Sequence, residues 1–103
     1  MGLAFTHCDA RWSYTGWYAF RMGLNVEAMN DTMPGDDPDP IEGLLHHSDC
    51  DGELTPEQCL TIAPRLRELV ARWPADDWDR QRAEELATGM ETAAACNESL
   101  RFI

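Results

Sequence analysis

Lysine is missing from this 103-residue chain: its eight basic residues are all Arg, set against nineteen Asp and Glu, for a formal net charge of -11. A surface of that sign disfavours nucleic-acid backbone binding, which needs a basic face to displace counterions. Long apolar runs are also missing, so no stretch reaches the roughly 18 residues of a membrane span. The first residues lack a basic region followed by an apolar one, and a cytoplasmic location is the resulting expectation. Cys8, Cys50, Cys59 and Cys96 form no Cys-x-x-Cys pair, and without an export signal they read as reduced thiols. There is no Gly-rich phosphate loop and no Gly-x-Ser-x-Gly elbow, so the chain reads as non-enzymatic. At this length a single compact domain over 1–103 is expected.

What is present is uneven. Nine acids, Asp31, Asp36, Asp37, Asp39, Glu42, Asp49, Asp51, Glu53 and Glu57, lie in an acidic segment over 31–57 that contains no Arg. The rest of the chain holds ten acids against eight Arg, close to balance. Such a concentration of charge must be relieved by water, by a cation or by a basic partner.

The periodicity predicts a mainly α fold. Ser13 or Thr15 caps a helix running to about Leu24, with Trp17, Phe20 and Leu24 on one buried face and a further turn over 25–29. Tyr14, Tyr18 and Arg21 fall on a neighbouring face. They are candidate partner-binding residues provided that they stay exposed while Trp17 and Phe20 are buried, since aromatics and Arg are enriched at interface hot spots. Asp39-Pro40 starts a short helix through Leu45. Thr55-Pro56-Glu57-Gln58 reads as a capping box, followed by a stripe of Cys59, Ile62, Leu66, Leu69 and Trp73. Pro64 predicts a kink in that helix. Asp76 or Asp77 caps a last helix with Ala83, Leu86, Ala87, Met90, Ala93 and Ala94 inward, and Asn97 ends it. Buried, inert thiols are expected for Cys59 and Cys96. Residues 3–6 and 100–103 are expected to join the two ends in a minimal two-stranded sheet.

The stretch His47-Ser48-Asp49-Cys50-Asp51-Gly52-Glu53-Leu54-Thr55-Pro56-Glu57-Gln58 resembles the twelve-residue calcium loop of EF-hand proteins. The resemblance implies Asp49 and Asp51 as carboxylate ligands, the Glu53 carbonyl as a third, Gly52 at the turn and Leu54 packed inward, with calcium as the candidate cofactor. The match is degenerate. His47 stands where Asp is usual and Gln58 where the bidentate Glu is usual, and both changes weaken a hard cation's site. An Asp-x-Asp-Gly turn that launches a capped helix explains the same residues without an ion. A transition metal on His46, His47 and Cys50, with His7 and Cys8, is a weaker alternative because the spacing fits no zinc pattern. Asp9-Ala10-Arg11-Trp12-Ser13-Tyr14 and His47 to Gly52 are also similar to segments of small uncharacterised bacterial and phage proteins, a likeness that implies no activity.

The expected function is therefore that of an acidic binding or regulatory protein whose segment 31–57, with Asp36, Asp37, Asp39 and Glu42, meets a basic surface on a macromolecular partner. Such a surface is suited to imitating a phosphate backbone or acting as an inhibitor. Calcium binding at the EF-hand-like loop is the alternative.

Overall fold

The computed structural model describes residues 2–31, 39–45 and 52–102. Asp36, Asp37, His46, His47, Asp49, Cys50 and Asp51 lie outside the described residues. The elements run β1 (Gly2–Ala4), β2 (Arg11–Ser13), α1 (Tyr14–Asp31), α2 (Glu42–Leu45), β3 (Glu53–Leu54), α3 (Pro56–Val70), α4 (Trp78–Ala95) and β4 (Leu100–Arg101). The mainly α expectation holds, with two small antiparallel sheets rather than one.

The helix ends follow from local chemistry. Ser13 Oγ accepts the Gly16 amide at 2.9 Å and starts α1. Thr55 and Gln58 form the reciprocal capping box, at 3.2 and 2.9 Å, and Pro56 sits where no donor is needed. Asp77 caps α4 by accepting the Arg80 amide. At the far end of α4, Asn97 is left-handed at φ 56°, the Glu98 amide reaches the Ala93 carbonyl and the Asn97 amide reaches that of Ala94. That is a Schellman stop built on Asn.

Helices α1 and α3 are both continuous elements. Helix α3 runs unbroken through Pro64. Pro64, which has no backbone N–H to donate, is exposed on that helix. Helix α1 runs without a break through the turn expected over 25–29 and ends at Asp31. Ala28 continues its buried stripe and no breaker intervenes. Cys59 is buried as expected, its Sγ 3.7 Å from the Leu54 carbonyl, whereas Cys96 is exposed because α4 ends one residue before it.

Helices α3 and α4 pack along one another. Arg67 reaches Thr88 and Glu91 while Arg80 reaches the Trp73 carbonyl, pairings that mark an antiparallel hairpin. Ile62, Leu66 and Leu69 of α3 meet Leu86, Met90 and the Ala side chains of α4, all fully or nearly fully buried. Helix α1 packs against α3, with Trp17, Phe20, Leu24 and Ala28 inward. An aromatic cluster joins the N-terminal hairpin to the core: Trp12 stacks on Phe20 at 4.8 Å between centroids, and Phe5 meets Phe102 edge-on at 4.9 Å. Each such pair is worth about 0.5–1.5 kcal/mol beyond its buried area.

The chain ends do meet, but through a single bridge between Phe5 and Phe102. Each terminal strand takes its ladder partner elsewhere: β1 pairs with β2, Leu3 opposite Trp12, and β4 pairs with β3, Leu54 opposite Leu100. Burial sets both registers, because a one-residue slip would turn Leu3, Trp12, Leu54 and Leu100 to solvent. The turn at His7 and Cys8 lies against Gly89 of α4, where an added Cβ would stand 2.8 Å from the Cys8 Cβ and 3.2 Å from the His7 carbonyl. A helical Gly costs up to about 1 kcal/mol against Ala, and here it permits that close approach.

Candidate functional site

The acidic segment is in part answered from within the fold. Arg65, on α3, is 14% exposed and grips Asp39 in a fork, Nε at 3.0 Å from both carboxylate oxygens and Nη2 at 2.7 Å from Oδ2; the Asp39 side chain is 11% exposed. The same guanidinium bonds Asp31 at 3.1 Å and contacts Glu68. About two turns further on, Arg72 contacts Asp31 and reaches Glu27 at 3.4 Å. Arg65 thus ties the end of α1 to Asp39, just before α2, and Arg72, two residues past α3, adds a second hold on α1.

The ionisation of these groups follows from the contacts. Burial pushes the Asp39 carboxyl up, but the Arg65 guanidinium and the Ile41 amide outweigh it and hold Asp39 below the usual carboxylate range. The Arg72 hydrogen bond holds Asp31 low as well. Hydrogen bonding to Asp39 raises Arg65 further above its ordinary value, so the pair stays charged at every physiological pH. Asp39, a candidate for partner contact, is therefore committed to a structural ion pair. Glu42 is exposed, as is Glu57.

At the EF-hand-like loop, the described part begins at Gly52, with φ 118°, a conformation that L side chains rarely adopt. Leu54 is fully buried and α3 starts two residues later. Glu53 is exposed and lies opposite Arg101 across the β3–β4 ladder. Among the described residues there is no group of three or more His, Cys, Asp or Glu able to hold a metal ion.

The aromatic candidates divide as the helical geometry requires. Trp17 and Phe20 are buried, whereas Tyr14 is 38% and Tyr18 61% exposed and Arg21 is half-buried with its Nη1 on the Leu45 carbonyl at 3.2 Å. The exposed set is larger than expected from the spacing: Met22, Val26 and Met29 join Tyr14 and Tyr18. Successive steps of four, then three, place all five on one face of α1. The sequence carried this signal, since α1 has apolar residues on two faces, but a second apolar face reads equally well as core until the packing is known.

Two recesses flank this ridge. On one side Tyr18, Arg21, Met22, Asn25 and Leu45 line a hollow of about 200 Å³. On the other, between α1 and the turn joining α3 to α4, lies one of about 390 Å³ with Phe20, Gly23, Val26 and Trp73 among its apolar lining and the carboxylates of Glu27, Asp77 and Asp79 at its edge.

One further constellation was invisible in the sequence. Thr6 Oγ1 lies 2.7 Å from His7 Nδ1, and His7 Nε2 lies 3.0 Å from Glu98, 91 residues away. This is the order of a hydroxyl–imidazole–carboxylate relay. Its hydroxyl, however, also accepts the Arg101 amide at 2.9 Å, and none of the recesses just described, nor a third beside Pro40 and Ile62, is lined by these residues. Its work is to fasten the His7 turn, at φ 70°, to the segment after α4. Nearby, burial raises the Cys8 thiol above its ordinary value, as it does that of Cys59, which leaves both poor nucleophiles.

No protein-family model matches the chain, and comparisons with curated proteins and with solved structures find no match. Among the described residues no helix is long and apolar enough to cross a membrane.

Proposed function

We propose that this chain is a non-enzymatic binding protein that engages a basic surface on a macromolecular partner, with the outward face of α1 as its docking element. The observation that carries this reading is the stripe of Tyr14, Tyr18, Met22, Val26 and Met29, five large apolar side chains left exposed along one face of a helix. Scattered surface apolar residues are ordinary, but a contiguous row of them on one helix marks an interaction surface. The net charge of -11 selects the sign of the partner and speeds the encounter. Imitation of a phosphate backbone by the acidic segment has less support, because Asp31 and Asp39 spend their charge on Arg65 and Arg72.

The test is recovery of partners on the immobilised protein at low salt, comparing wild type with a Tyr18→Ser, Met22→Ser, Val26→Ser variant and with Leu60→Ser, an exposed apolar residue of α3. The reading expects a basic protein retained by wild type and Leu60→Ser and lost from the triple variant. Equal recovery by all three would overturn it.

Calcium binding is the second reading, supported by the positive φ of Gly52 and the inward Leu54, two features of the loop it resembles. A cation bound only by the folded chain raises the unfolding midpoint in millimolar calcium relative to chelator, and Asp49→Ala abolishes the rise. An unchanged midpoint leaves the turn as a helix starter.

A further inference from the structure

We infer that the partner segment seated on α1 is an amphipathic helix whose apolar face is flanked by Lys or Arg, and that one of those cations enters the recess between α1 and the Trp73–Asp79 turn. This inference rests on the docking reading above and names the chemistry of its occupant.

Shape comes first. Tyr14, Tyr18, Met22 and Val26 follow one another at steps of four, so their side chains form a single ridge along α1, about 18 Å from end to end at 1.5 Å per residue. A ridge of this kind packs into the groove between the i±4 rows of a second helix. An extended strand offers no such groove, and its own amides would find no ladder on a helical surface.

Charge then selects the helix. The recess on the Val26 side has an aromatic wall in Trp73, which is half-buried, and Gly23 keeps α1 thin there, an added Cβ lying 3.4 Å from the Trp73 ring. Its three charged lining residues are all acids, Glu27, Asp77 and Asp79, and no Arg lines it. Each carboxylate is held in place by the fold. Asp77 Oδ1 takes the Arg80 amide and Asp79 Oδ1 the Trp12 indole, both at 3.0 Å, while Glu27 takes the Trp73 indole and Arg72 at 3.4 Å. Asp77 and Asp79 keep Oδ2 without a partner among the described residues. An aromatic face beside anchored carboxylates suits an ammonium or guanidinium group. Val26 belongs to both the ridge and the recess, so a helix lying on the ridge carries a side chain directly over the opening. A second copy of this chain is the poorer occupant, because it would bring two bodies of charge -11 together.

The experiment uses two synthetic 18-residue helical peptides with the same Leu stripe, one flanked by Lys and the other by Glu, titrated into the purified protein at low ionic strength by calorimetry. The Lys peptide is expected to bind and the Glu peptide to bind at least roughly tenfold more weakly. Glu27→Gln with Asp79→Asn, which preserves an acceptor for the Trp12 indole, is expected to weaken the Lys peptide roughly tenfold. Glu42→Gln with Glu57→Gln removes the same charge from the exposed acids of the 31–57 segment and is expected to change affinity less than about twofold. Tyr18→Ser with Met22→Ser abolishes binding. If that last variant binds like wild type, the docking reading itself falls. If it loses binding while the two neutralised pairs weaken the Lys peptide equally, docking stands and the cation recess falls. Dimerisation of the protein alone, seen by sedimentation and lost in Tyr18→Ser with Met22→Ser, would overturn the basic helix in favour of a second copy.

Discussion

Helices α1 and α3 both bury one apolar stripe, yet they treat solvent in opposite ways. The outward face of α3 carries Glu57, Gln58, Thr61, Pro64 and Glu68, with Leu60 its one exposed large apolar residue. The outward face of α1 carries Tyr14, Tyr18, Met22, Val26 and Met29. A helix needs only its inward stripe to stay folded on a core, and α3 shows that this chain can write a largely polar outward face. The second apolar face of α1 is exposed among the described residues, and it is the face on which the docking proposal rests.

That contrast breaks most visibly at the inward face. Leu66, fully buried between α3 and α4, is expected to cost about 4 kcal/mol on change to Ala, read from urea unfolding at constant m-value. A loss below about 1 kcal/mol would mean that the α3–α4 contact is looser than its burial indicates.

The next largest effect belongs to the arginine clasp. Arg65→Met removes the fork on Asp39 and is expected to cost about 2 kcal/mol, because among the described residues a nearly buried carboxylate is left with the Ile41 amide alone. Arg67→Met, which breaks the more exposed pair with Glu91, is expected to cost about 0.5 kcal/mol or less. Equal losses for the two would show that depth of burial does not govern these pairs.

These two comparisons also mark how far the fold was legible beforehand. Ser13, Thr55 with Gln58, Asp77 and Asn97 were readable because a cap is a contact across two to four residues, and the stripes of α3 and α4 were readable because period is local. The clasp was not, since Arg65 and Asp39 are 26 residues apart and charge alone gives no address. A nine-acid segment without Arg looks unanswered in one dimension, and Arg65 of α3 answers Asp31 and Asp39 in three. Strand pairing was equally opaque: Phe102 does face Phe5, but ladders of two or three residues carry too little pattern to choose between β1–β2 and a direct union of the ends. The face of α1 bearing Tyr14, Tyr18 and Arg21 was visible as spacing, while the recess beside Trp73 needed the turn after α3 to fold back onto Gly23.

Acid separates the clasp from the rest of the surface. Asp39 and Asp31 have carboxyls held below their unfolded values, so their stabilisation is fully present above the ordinary carboxylate range and is lost as pH falls through the lowered folded values. The unfolding midpoint is therefore expected to be insensitive to these groups near neutrality and to fall below about pH 4. Asp39→Asn should start from a lower midpoint and fall less steeply, so the gap from wild type narrows on acidification. A gap that stays constant down to about pH 2 would mean that the Asp39 carboxylate gains nothing from Arg65.

The smallest effect returns to the outward face of α1. Met22→Ser and Val26→Ser are each expected to change stability by no more than about 0.5 kcal/mol, and Tyr18→Ser similarly, because these side chains are about half exposed or more in the monomer. The stability scale that registers Leu66→Ala so strongly should barely register them, while partner binding registers them and not Leu60→Ser. A loss of more than about 1.5 kcal/mol at Met22 would show that the residue packs against this same chain, and the outward stripe would then belong to the core. A near-neutral result at all three positions leaves the stripe with no structural duty in the monomer and supports the docking proposal.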